Sequence, residues 1–255
     1  MFGLTGRRRK HLREQPFPAE WEEILHRTMP LYASLSAEDR RELQGHVQVF
    51  LDEKSFEGCG GLLVTNEIRV TIAAQACVLL LHRETDYYPE LLSILVYPHA
   101  YIVKETRHDG SVVIDGEVTR LGESWVRGAV VLAWDNVLAG AADVHDGHNV
   151  VFHEFAHQLD QEDGAGDGAP VLPRRSMYVT WARVLGGEFA HLQQAARRGE
   201  PTLLDKYGAT NPAEMFAVAT ETFFEKPRKL RSRHPELYEQ LKEFYNQDPA
   251  ERPGV

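Results

Sequence analysis

Apolar residues recur at helical spacing near the start of the chain. Trp21, Ile24 and Leu25 form one group, and Leu43, Val47 and Phe50 form another, so residues 20–53 read as helical. Ser36-Ala37-Glu38-Asp39 carries the signature of a helix start between them. Glu57-Gly58-Cys59-Gly60-Gly61 then breaks the pattern as a turn or hinge. From Val70 to Leu81 only Thr71 and Gln75 interrupt an apolar run, which predicts a buried helix over residues 66–82. Leu92 to Tyr97 predicts a short strand that stops at Pro98.

The section from 99 to 135 changes period. Ile102-Val103, Val112-Val113-Ile114 and Val130-Val131-Leu132 are β-rich, with turn residues at Asp109-Gly110 and Asp115-Gly116. Val150, Val151, Phe152, Phe155, Ala156 and Leu159 return to a helical pattern, apolar on more than one side. Met177 to Arg198 reads as a further helix, with a kink or break expected at Gly186-Gly187. Asn211-Pro212-Ala213-Glu214 sets Asn as N-cap, Pro at N1 and Glu at N3 of a helix through Met215, Phe216, Val218, Ala219 and Phe223. The sum is an α+β chain: residues 20–98 mainly helical, residues 99–255 the catalytic part, and 20–255 forming one compact domain. Residues 1–19, with basic residues from Arg7 to Arg13, are expected to be a flexible, solvated arm.

Composition narrows the class. The 255 residues are 43% hydrophobic, enough for a sizeable core. A net charge of −10 argues against direct nucleic-acid binding. The two cysteines, Cys59 and Cys77, give no disulfide framework. The longest apolar run is too short to span a bilayer, and no apolar signal region follows Arg7-Arg8-Arg9-Lys10, so a cytoplasmic location is expected. A second basic cluster, Lys226 to Arg233, follows a helix, where cations suit the negative end of the dipole.

The chemistry is concentrated in His153-Glu154-Phe155-Ala156-His157. On a helix, residues i and i+4 share a face, so both imidazoles can reach one ion, and neutral imidazole is a good zinc ligand. Glu154 stands where a carboxylate can deprotonate a water. The pentapeptide alone is a weak signal and could mark an ordinary surface helix. Its apolar setting gives it weight, because buried polar groups need partners.

A catalytic zinc takes three protein ligands and leaves one position open. Residues 158 to 168 contain no histidine, which excludes a ligand directly downstream. His145 and His148, in the loop before the helix, fit the mouth of a cleft better than the metal. A glutamate from a later helix remains. Glu214 is one candidate, although at N3 it equally completes a capping box. Glu221, seven residues on and near the same face, is its rival. It also reads as an outer carboxylate orienting a ligand imidazole, or as a solvated one. Asp160 has the same two outer readings, the solvated one ahead. Asp163 to Gly168 reads as a flexible acidic loop beside the cleft.

These residues resemble a known family. The string from His153 to Asp160, together with Tyr207 and Asn211-Pro212-Ala213-Glu214-Met215-Phe216-Ala217, is similar to the Mlc titration factor A (MtfA) family of zinc peptidases. Leu95-Val96-Tyr97-Pro98, Gly128 to Trp134 and Phe244 to Pro249 extend the likeness, which covers most of the chain from about residue 20. That family is similar to the catalytic domain of anthrax lethal factor, so the resemblance implies a gluzincin-like zincin fold with a small mixed sheet over the active-site helix. It implies one Zn²⁺ held by His153, His157 and Glu214, Glu154 as general base, and Tyr207 steadying the oxyanion. It implies aminopeptidase-type activity on a peptide or protein substrate and, as the enterobacterial member binds the repressor Mlc, a regulatory partner of the Mlc-like repressor type.

In zincins an edge strand pairs with the substrate backbone, and Ala129 to Trp134 is the strand expected in that role, with an internal core strand as the other reading. A competing function is a binding protein that sequesters a transcriptional repressor and keeps a structural or vestigial zinc site.

Overall fold

Side-chain caps set several helix starts in the computed structural model, which describes residues 2–109, 112–120, 122–125 and 128–252, with side chains at 5–100 and 128–252. The elements run α1 (Phe2–Arg13), α2 (Ala19–Thr28), α3 (Pro30–Ser34), α4 (Ala37–Glu53), β1 (Ser55–Gly58), α5 (Asn66–Val78), β2 (Ser93–Tyr97), β3 (Tyr101–Asp109), β4 (Val112–Arg120), β5 (Gly122–Trp125) and β6 (Ala129–Ala133). Then follow α6 (Trp134–Ala142), α7 (Val150–Asp160), α8 (Met177–Arg198), a 3-10 turn Lys206–Ala209, α9 (Pro212–Glu225), α10 (Pro227–Arg233) and α11 (Pro235–Tyr245). The Ser36 hydroxyl accepts from the Asp39 N–H at 3.0 Å to start α4. Asn149 and Asn211 do the same for α7 and α9, accepting from Phe152 at 3.0 Å and Glu214 at 2.9 Å.

Four strands form a mixed sheet in the order β1-β2-β6-β5, with β1, β2 and β6 parallel and β5 antiparallel to β6. Ile94 pairs with Val130 and Val96 with Leu132, and all four side chains are buried, so one face of the sheet covers the core. β6 therefore lies inside the sheet. The expectation that Ala129 to Trp134 is an edge strand is corrected: β2 and β5 occupy both its hydrogen-bonding sides, and Trp134 already begins α6. The outer strand next to it is β5, which packs against α7. β3 and β4 form a separate antiparallel pair. The turn expected at Asp115-Gly116 is absent: both residues pair within the ladder, with Thr106 and Glu105. The other expected turn falls between the paired ends Asp109 and Val112, where residues 110 and 111 lie outside the described residues.

The basic arm expected to be flexible is helix α1. Arg9 bonds both carboxylate oxygens of Glu53, at 2.7 and 3.0 Å, and also meets Asp86, while Arg8 reaches Asp52 at 2.8 Å. The acidic end of α4 thus neutralises the run that composition alone reads as solvated. Gly45 lets the two helices approach, since a Cβ there would sit 3.1 Å from Arg13. α8 continues without interruption through Gly186 and Gly187.

Buried apolar residues form one cluster from Ile24 to Ala250. Phe155 on the back of α7 packs against Phe50 at 5.7 Å and Tyr88 at 4.9 Å. On α9, Phe216 packs against Trp181 at 5.8 Å and Phe244 at 5.7 Å. Each fully buried aromatic contributes about 2–3 kcal/mol relative to exposure. The result fixes α7 and α9 side by side with their polar faces toward one another.

Candidate metal centre

His153 and His157 lie one turn apart on α7, with ring centroids 4.9 Å apart. Glu214 comes from the first turn of α9. Its Oε2 is 3.0 Å from His153 Nε2 and 3.4 Å from His157 Nε2, and the two Nε2 atoms are 3.3 Å apart. One ligand atom from each residue thus falls within 4.8 Å of the others, the only such group of His, Cys, Asp or Glu among the described residues. Tetrahedral zinc with bonds near 2.0–2.2 Å sets its ligand atoms about 3.3 Å from each other. The three atoms stand at that spacing, so the donor set fits the ion. The Glu214 carboxylate points at the imidazoles, so the N3 position serves the cluster as well as the helix start.

Charge supports the same conclusion. Glu154, Glu214 and Glu221 surround the two imidazoles. Burial opposes charge on His153, but the bonds from Glu214 and Glu221 outweigh it and raise its pKa to about 10. Burial opposes charge on Glu214 too, yet its bonds to His153 and His157 lower its pKa to about 2. The site therefore holds a positive charge between carboxylates, and a divalent ion would displace the proton from His153.

Glu154 is 5% exposed and its Oε2 has no hydrogen-bond partner. Burial raises its pKa to about 7, against the pull of His153 and His157. It lines a cavity of about 460 Å³ with His153, Tyr207, His148, Val150 and Val218. A carboxylate poised near neutrality beside open space suits proton transfer. Tyr207 sits on the 3-10 turn, 56% exposed, with its ring 6.0 Å from that of His153. Asp205 caps this turn by accepting the Tyr207 N–H at 2.7 Å.

The model for the glucose-regulated metallo-peptidase M90 family matches residues 4–246. This chain belongs to that family. It is similar to the uncharacterized protein slr2042 of Synechocystis sp., 46% identical over 244 residues, covering 95% of this chain and 89% of that one. It is similar to Mlc titration factor A of Serratia proteamaculans, 32% identical over 240 residues, covering 92% of this chain and 89% of the relative. Mlc titration factor A of Yersinia pestis is likewise 32% identical over 240 residues, covering 92% and 86%. Membership of the M90 family makes the metallopeptidase class, and with it a metal, the coarse reading of the cluster.

Other expected residues of this M90 chain fall as follows. Glu221 is 6% exposed, not solvated; its Oε1 accepts from His153 Nδ1 at 2.7 Å. Asp160 is also buried, which corrects its solvated reading, and it accepts the Gly168 N–H at 2.9 Å. His148 lies at the rim of the cavity, its Nε2 3.9 Å from Asp205, and neither it nor His145 joins the cluster. The loop from Asp163 is mostly exposed but anchored at buried Gly168. Asn149, Gln75, Asp205 and Glu225 were not singled out by the sequence. Asn149 had a readable signal, an N-cap residue directly before an apolar helix; its contact with Glu221, 72 residues away, had none.

Proposed function

We propose that this M90 chain is a zinc-dependent peptidase of aminopeptidase type, with His153, His157 and Glu214 as the ligands of one Zn²⁺. The observation that carries the reading is the convergence of those three side chains at the spacing of a tetrahedral ion. When bound, zinc supplies Lewis acidity toward a peptide carbonyl and lowers the pKa of water. Glu154 takes the proton from the attacking water and delivers it to the departing amine as the C–N bond breaks. Tyr207 donates its hydroxyl proton in a hydrogen bond to the carbonyl oxygen as negative charge develops. An extended substrate adds to the outer side of β5, the strand beside α7.

Elemental analysis of protein purified without a metal-binding tag tests the site. About one zinc per wild-type chain, lost in Glu214→Ala, is expected. A wild type that takes up no zinc when supplied with it overturns the reading.

A second role follows from the relatives called Mlc titration factor A. The chain binds an Mlc-like transcriptional repressor in the cytoplasm, and none of its described helices is long and apolar enough to cross a membrane. Repressor capture that survives Glu154→Gln, while peptide hydrolysis does not, separates the two roles.

A further inference from the structure

Asn149 is 3% exposed and every polar group of its side chain is engaged. Its Oδ1 caps α7, and its Nδ2 donates to Gln75 Oε1 on α5 at 2.9 Å and to the Gly140 carbonyl of α6 at 3.1 Å. Gly140 allows this close crossing, because a Cβ there would lie 3.0 Å from the Asn149 Cα and 3.1 Å from the His148 carbonyl oxygen. The start of the metal helix is thereby locked to two neighbouring helices. The Asn149 backbone N–H, fixed by the same contacts, donates to Glu221 Oε2 at 2.6 Å. The other oxygen, Oε1, then faces His153 Nδ1 at 2.7 Å. A carboxylate only accepts, so Nδ1 carries the proton and Nε2 presents its lone pair when the ring is neutral.

We propose that Glu221, held by Asn149, is the positioning residue for His153: it fixes the ring's orientation and keeps Nε2 as the ligand atom. This deepens the metallopeptidase reading and rests on it for the zinc arm of the test alone. Removing such an outer partner costs metal affinity without removing a ligand.

The test compares wild type with Glu221→Gln and Glu225→Gln. Glu225 lies one turn further along α9, is also buried and interacts with Asn149 and Glu221 rather than with His153, so its variant controls for a Glu-to-Gln change beside the same anchor that leaves the His153 contact in place. Two quantities are read on the whole chain: zinc affinity by competition with a chelator, and the low-field, exchange-protected Nδ1–H proton of His153 by NMR. In Glu221→Gln we expect about 10- to 100-fold weaker zinc binding and loss of the proton signal. In Glu225→Gln both should remain. Glu221→Asp, which keeps the charge and shortens the reach, should fall between wild type and Glu221→Gln, and it serves if the amide variant does not fold. Wild-type zinc affinity in Glu221→Gln, or a persistent Nδ1–H signal, overturns the proposal. If even the wild type binds no zinc while the proton signal still depends on Glu221, the positioning stands and the metallopeptidase reading falls.

Discussion

The Asp160 carboxylate, three residues beyond His157, accepts the backbone N–H of Gly168 at 2.9 Å. Trp181 holds the same residue from the other side, its Nε1 donating to the Gly168 carbonyl at 2.9 Å. Gly168 has a φ of +82°, and a methyl group there would lie 2.7 Å from the carbonyl carbon of Pro212, closer still to its oxygen. Pro212 opens α9 two residues before Glu214. One glycine therefore spans the helices that carry all three candidate ligands. Gly168→Ala combines backbone strain with a clash against fixed backbone, so it should cost about 2–4 kcal/mol in urea unfolding and weaken zinc binding. Gly164→Ala is the comparison: its φ is +87° but nothing lies within 4 Å, so it should cost about 1 kcal/mol and leave zinc binding unchanged. Equal losses for the two variants would show that contact with Pro212 has no energetic weight.

Docking of α1 rests on Arg9, whose fork meets Glu53 with Asp86 beside it. Arg9→Ala should lower stability by only about 1 kcal/mol, because the pair is partly exposed. Its larger effect should be local: limited trypsin digestion should cut faster within residues 7–13 than in wild type. Unchanged cutting would mean that Leu12 and the α4 surface hold the helix without the ion pairs.

Periodic segments were legible in the sequence because helix type depends on local pattern. α5, α7 and α9, the caps Ser36 and Asn211 and the pair His153 and His157 all follow from spacing within about a dozen residues. Features decided by distant partners were not. The Arg7 to Arg13 run looks solvated until Asp52, Glu53 and Asp86 are brought beside it. Strand order is likewise non-local, so Val130-Val131-Leu132 reveals a strand but not its interior position. Asp160 and Glu221 look like ordinary helix carboxylates until burial and their partners, Gly168 and His153, distinguish them.

Glu225 gives stability a pH dependence. Its carboxylate is 2% exposed with neither oxygen hydrogen-bonded in good geometry, and burial, aided by Asp146 and Glu221, raises its pKa to about 9. The folded chain keeps this proton where the unfolded chain, near the ordinary value of 4.5, has lost it. Unfolding then releases a proton between about pH 4.5 and 9, so this group lowers stability as pH rises through that window, by at most about 1.4 kcal/mol per unit. Glu225→Gln keeps the shape of the neutral acid and removes the dependence. Relative to wild type it should gain stability from pH 6 to pH 8.5 in urea titrations; a difference that stays flat across those values would mean that Glu225 is ionised in the fold.

Tyr207 and Glu154 line one cavity but should fail differently. Glu154→Gln removes the base while leaving His153, His157 and Glu214 in place, so zinc should stay bound and kcat should fall by about 10²–10⁴. Tyr207→Phe removes only a hydroxyl from a ring that is more than half exposed, so the stability cost should be small, and urea unfolding measured beside the kinetics separates it from the effect on the reaction. A donor to the developing oxyanion acts mainly in the transition state, which places the loss in kcat, by about 10²-fold, with KM within a few-fold of wild type. A loss confined to KM would make Tyr207 a wall of the substrate cavity. Wild-type kcat and KM together would leave the carbonyl oxygen to the metal alone.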